Sequence, residues 1–111
     1  MGNNAISAIG KLGFGVPQSV TLSGDVGAYT KSNIKLKAEA DVTDDCTQLT
    51  GGSDGDIVIV RADAGDTITL KNGANMIIGG DIALVGDNGD MVMLLNVGSD
   101  IHRKLSAFGD N

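Results

Sequence analysis

Gly55-Asp56-Ile57-Val58-Ile59-Val60 and Gly65-Asp66-Thr67-Ile68-Thr69-Leu70 set out one phrase that the second half of the chain repeats. It returns as Gly80-Asp81-Ile82-Ala83-Leu84-Val85 and Gly89-Asp90-Met91-Val92-Met93-Leu94. Glycine takes the positive φ of a tight turn, aspartate bonds turn amides, and β-branched residues favour a pleated sheet. The phrase therefore reads as a turn followed by a strand. Asn72-Gly73 and Asn88-Gly89 add hairpin signals. The unequal intervals do not fit a solenoid of fixed period. Short strands at this frequency predict an all-β fold: a compact antiparallel β-sandwich or small barrel.

Working outward, Ile34, Leu36, Ala38 and Ala40 alternate with Lys35, Lys37 and Glu39, the clearest period-two stretch in the chain. One face of that strand should be wet and the other buried. Val20 and Leu22 alternate with Ser19, Thr21 and Ser23 in a shorter strand ending at Gly24-Asp25. Thr43-Asp44-Asp45-Cys46-Thr47-Gln48-Leu49 breaks the alternation. There Thr43 is expected to cap a single helical turn, with Asp44 and Asp45 at its positive end. Before Pro17 the pattern changes again. Gly10, Gly13 and Gly15 interrupt any helix among Ile6, Ile9, Leu12 and Phe14. Residues 1–17 are thus expected to form an extended N-terminal arm with apolar anchors, and residues 18–111 a single domain.

The chain has 111 residues, enough for one domain. Eight basic against 14 acidic residues give a net charge of −6. That argues against a nucleic-acid partner, whose phosphates demand a basic face, and against a polybasic membrane patch. No apolar run is long enough to span a bilayer, and the N-terminus carries no secretory pattern. Aromatic residues are 3% of the chain, which leaves little to build a sugar-stacking platform. With one cysteine, Cys46, there is no internal disulfide and no thiolate metal site. Few aromatics and no cross-links leave a thin stability margin, so self-association is the expected supplement.

Catalytic and metal-binding patterns are sparse. His102 precedes Arg103 and Lys104 and is expected to be solvated, while Cys46 is expected to be an inert buried thiol. Ser53 in Gly-Ser-Asp-Gly is no nucleophile elbow, and no phosphate loop is present. Gly51-Gly52-Ser53-Asp54-Gly55-Asp56 approaches a calcium β-roll nonapeptide, but Asp54 stands where that repeat has glycine. Asp87-Asn88-Gly89-Asp90 lacks the spacing and final glutamate of an EF-hand loop. No enzyme activity, cofactor or metal is expected. Arg61, inside an aliphatic strand, either faces solvent or pairs with an aspartate across a subunit boundary.

Thr43-Asp44-Asp45, the run Gly51 to Arg61, Thr67 to Gly73, Asn75 to Ile78 and Asp90 to Leu95 together resemble a small β-domain of tailed-bacteriophage virion proteins. That family includes capsid decoration (cement) proteins and modules at the ends of tail or head fibres. The resemblance covers roughly residues 20 to 105 and rests on turn-and-strand patterns. It departs where family members often carry a Trp after the last Leu-rich strand; here Ile101 and His102 occupy that neighbourhood. The resemblance implies a structural protein, usually trimeric, on the outer capsid surface of a virion, with the major capsid protein and itself as partners.

Taken with the residues, this gives a decoration protein that docks on the shell as a homotrimer. Ile6, Ile9, Leu12 and Phe14 would be the docking anchors. Arg61, Met91, Met93 and Leu95, or the opposite sheet face, would form the subunit seam. The alternatives are a fibre module with function in the loops Asp54 to Asp56 or Asp87 to Asp90, and a calcium-dependent binding module.

Overall fold

The computed structural model describes residues 10–105. Strands β1 (Gln18–Thr21), β2 (Val26–Ala28), β3 (Asn33–Lys37), β4 (Thr43–Cys46), β5 (Gln48–Thr50) and β6 (Ile57–Ala62) lead the chain. Then come β7 (Thr67–Leu70), β8 (Met76–Ile77), β9 (Ile82–Val85), β10 (Met91–Asn96) and β11 (His102–Lys104). A single 3-10 turn at Gly86–Asn88 is the one helical element among the described residues. The fold is all-β.

The alternation of the sequence is carried directly into burial. In β3, Ile34 and Leu36 are buried while Asn33, Lys35 and Lys37 stay half-exposed. In β6, Val58, Val60 and Ala62 point inward. Val20 and Leu22 are buried at the start of the chain. Each such aliphatic side chain contributes roughly 1.5–3 kcal/mol when removed from water.

Six strands form the largest sheet, in the order β1-β3-β6-β10-β11-β8. A second sheet has the order β4-β7-β9, and β2 pairs with β5. Ile34, Val60 and Leu94 from the first sheet share one core with Ile68 and Leu84 from the second and with Leu49 of β5.

The pairing corrects the antiparallel expectation. Among the first seven strands every pairing is parallel: Gln18 lies beside Ile34, Ile34 beside Val60, Val26 beside Gln48 and Thr43 beside Thr67. The chain thus winds in stacked, solenoid-like coils of unequal length, where an antiparallel sandwich or small barrel was expected and a solenoid was not. It then reverses, and β9 and β10 run antiparallel to β7 and β6. Period-two alternation assigns each side chain to a face but carries no information on the direction of the neighbouring strand.

A second correction concerns Thr43 to Leu49, which forms β4 and β5 and no helical turn. Pairing decides against the cap. β4 hydrogen-bonds along β7 and β5 along β2, and these pairings seat Cys46 and Leu49 in the core, as a lone helical turn would not.

The Gly-Asp corners work as turn chemistry requires. Gly55, Gly65, Gly80 and Gly89 all have positive φ. All four following aspartates accept a backbone amide: Asp56 from Ser53, Asp66 from Ala38, Asp81 from Asn72 and Asp90 from Val85, at 2.8–3.0 Å. The Asp66 bond ties the exit of β3 to the turn after β6, so it joins one coil to the next. At Gly86 a Cβ would overlap the Asp63 carbonyl, and only glycine permits that approach.

Adjacent β10 positions check which way the sheet faces. Leu94→Ala should cost about 2–5 kcal/mol in urea unfolding. Met93→Ala, in dilute solution, should change stability by less than about 0.5 kcal/mol.

Candidate functional site

The register of the six-stranded sheet collects its outward side chains into rows. Leu95 lies beside Ile57 on one side and Arg103 on the other, and Arg103 beside Ile77. In the next row Met93 lies beside Ile59, and the Leu105 amide donates to the Met93 carbonyl at 2.9 Å. In the third, Met91 lies beside Arg61, and Arg61 beside Lys35. The alternate positions, Val58, Val60 and Leu94, fill the core, so these rows lie on the outer face.

Aliphatic side chains run through all three rows; the first also carries Arg103, and the third Arg61 and Lys35. Met91 is 57% exposed, Met93 and Leu105 41%, and Ile57 and Ile77 37%. These exposed aliphatic side chains make the outer face of the largest sheet the candidate interaction surface. Arg61 Nη2 donates to Asn33 Oδ1 at 3.0 Å, while its buried Nε has no acceptor among the described residues. Lys35 and Lys37 both bridge to Asp63, each at 3.5 Å. Burial pushes the Asp63 carboxyl upward, but the two lysines outweigh it and hold the carboxyl below its ordinary range.

The structure therefore brings Arg61, Met91, Met93 and Leu95 onto one face. It also adds Ile57, Ile59, Ile77 and Leu105, which sequence reasoning missed because their neighbours are set by strand pairing. Of the arm residues, Ile6 and Ile9 lie outside the described residues. Leu12 is exposed, Phe14 is half-buried, and residues 10–17 form no strand. Asn33 Nδ2 donates to the Gly15 carbonyl at 2.8 Å, so Gly15 is held beside the start of β3.

His102 requires a correction. It is fully buried beside Tyr29, with ring centroids 5.7 Å apart and an edge-on angle of 67°. Its Nε2 lies 2.9 Å from the Tyr29 hydroxyl, to which Asn96 Nδ2 donates at 3.1 Å. Asn96 Oδ1 in turn accepts the Gly98 amide at 2.8 Å. For the hydroxyl proton to find an acceptor it must go to Nε2, which places the imidazole proton on Nδ1. Nδ1 has no hydrogen-bond partner among the described residues. The Arg-Lys that follows His102 suggested water. The pairing of β11 between β10 and β8 instead turns the ring inward, opposite Asn96 and Met76. Gly52 completes the pocket, since a Cβ there would overlap the Tyr29 hydroxyl.

These groups are structural in their geometry. Burial pushes the His102 pKa below its ordinary value, although Asp100 and Asp56 oppose that shift. Burial likewise raises the Tyr29 hydroxyl. Cys46 is fully buried, and desolvation pushes its thiol up to about 12, so it remains a protonated thiol. A shallow groove of about 370 Å³ is lined by Thr43, Asp44, Asp45, Thr67 and Thr69. Both Asp44 oxygens in it are already engaged, accepting the Glu39 and Asp45 amides. Among the described residues no three His, Cys, Asp or Glu side chains are grouped to hold a metal ion. No helix among them is long and apolar enough to cross a membrane.

Comparison with family models, curated proteins and solved structures finds no match to this chain.

The buried imidazole has a measurable consequence. With its folded pKa below the unfolded value near 6.5, the unfolded chain binds the proton more readily. Stability should be level above about pH 6.5 and fall as the pH drops below it. Urea unfolding between pH 7.5 and 5 should show this slope, and His102→Gln should flatten it. Asp63 acts lower, below its unfolded value of about 4, so the two windows separate.

Proposed function

We propose that this chain is a phage virion structural protein, a capsid decoration protein that binds the outer capsid surface as a trimer. It stabilises the shell by bridging coat subunits, and it is not an enzyme. The observation that carries the reading is the aliphatic strip on the outer face of the six-stranded sheet, where Met91, Met93, Ile57 and Leu105 are exposed together. A face of this kind is left for a protein partner. The rest of the chain supports a rigid block: the histidine and cysteine are buried, and Asp turns are tied to backbone amides. The resemblance to phage β-domains supplies the class of assembly.

In this mechanism Arg61, Met91, Met93 and Leu95 contribute to the subunit seam. The N-terminal arm, with Ile6, Ile9, Leu12 and Phe14, lies across neighbouring coat subunits. Joining three weak contacts rigidly raises avidity by about 10²–10⁴ over one contact. The fibre reading has less support. Of the loop carboxylates it would use, Asp56, Asp87 and Asp90 already accept backbone amides. The calcium reading has the same weakness.

Deleting residues 1–16 should weaken binding to purified empty capsids about 10²–10⁴-fold. Full retained affinity would remove the docking arm from the mechanism. Calcium should leave the melting temperature unchanged; a rise would favour the calcium-dependent module.

A further inference from the structure

Charge on this molecule is sorted by sheet. The six strands of the largest sheet carry Lys35, Lys37, Arg61, Arg103 and Lys104, and none of the 14 acidic residues of the chain. Lys35 and Lys37 are neutralised at the edge of the face by Asp63. Arg61 and Arg103 form no salt bridge among the described residues, and Arg61 is bonded only to the neutral Asn33 amide.

The complementary surface lies on the same chain. The corner Glu39–Asp45, which leads from β3 into the first residues of β4, exposes Val42 (59%) together with Glu39, Asp41 and Asp45. Among the described residues none of these acids forms a salt bridge. The corner also carries a groove of about 300 Å³ lined by Glu39, Ala40, Asp41, Thr43 and Asp44. One surface is thus an aliphatic strip rimmed by arginine, and the other an aliphatic tip rimmed by carboxylates.

We infer that the outer face of the six-stranded sheet seats the acidic Glu39–Asp45 corner of a second copy of this chain, head to tail. The inference rests on the assembly reading above and specifies its contact. A two-fold contact of the sheet face on itself would put Arg61 and Arg103 of both copies into one interface, with no carboxylate in the strands of either. Like charges juxtaposed at an interface work against association, whereas opposite ones steer and orient it. A head-to-tail contact uses two different patches and closes into a ring where its rotation permits. A three-membered ring is the closed form that a trimer requires.

Charge reversal tests this on the full chain, with sedimentation at micromolar concentration as the readout and circular dichroism as the folding check. The unmodified chain should assemble. Arg61→Glu with Arg103→Glu should sediment as a folded monomer, and so should Asp41→Lys with Asp45→Lys. The chain carrying all four substitutions should assemble again, because a head-to-tail contact is restored when both patches change sign. A self-paired face would not recover in this way.

If the corner variant assembles like the unmodified chain, or the fourfold variant folds and stays monomeric, the head-to-tail contact is wrong while the assembly reading stands. If the unmodified chain is monomeric throughout, both fail. Asp41 and Asp45 are exposed, so the corner variant decides the matter alone should reversal at half-buried Arg61 prevent folding.

Discussion

A chain that turns every few residues exposes many backbone amides that no neighbouring strand can accept, and each must find a partner. Here carboxylates supply those partners. Asp56, Asp66, Asp81 and Asp90 each accept a turn amide, and Asp87 accepts that of Gly65. Glu39 does the same for Gly24, and the Gln18 amide oxygen takes both Thr30 and Lys31. Several of these bonds join segments far apart in sequence, so they fix the stacking of one coil on the next as well as the turn itself. Hydrogen bonds to an ionised acceptor are stronger than neutral ones, which suits a small core without cross-links.

The same requirement shapes the electrostatics. Acidic residues are needed at corners, so they gather there and in β4, while the strands of the six-stranded sheet carry basic residues alone. The net charge of −6 therefore conceals a molecule with two unlike surfaces. Composition argued correctly that the chain as a whole lacks a basic character. It could not show that one face has one, because that depends on which strands share a sheet.

The turn-and-strand phrases were legible because glycine and aspartate act locally, through φ and through amides nearby in space. The inward positions of β3 and β6 followed from alternation for the same reason. Strand direction was not legible, since alternation is identical for either direction of a neighbour. Thr43 to Leu49 failed differently. Its capping residues describe a local preference, and pairing with β7 and with β2 outweighed it. His102 was misplaced because two charged neighbours suggested water, while its partners Tyr29 and Asn96 come from distant strands. Of the site, Arg61, Met91, Met93 and Leu95 were visible one by one. Ile57, Ile59 and Leu105 joined them only through register.

Register is also what the buried polar group protects. A slip of one residue in β10 would turn Met91, Met93 and Leu95 inward and drive Leu94 into water. Aliphatic packing penalises that slip only weakly, since Met, Val and Leu can exchange places with modest loss. Asn96 cannot. Moved one position, its amide would leave the Tyr29 hydroxyl and the Gly98 amide, stranding polar atoms in the core at about 1–3 kcal/mol each. His102 adds the same constraint to β11 through Tyr29. The polar trio at one end of the sheet thus holds β10 and β11 in the alignment that keeps the aliphatic strip on the outside. A core built of aliphatics alone would fold with less certainty about which face it shows.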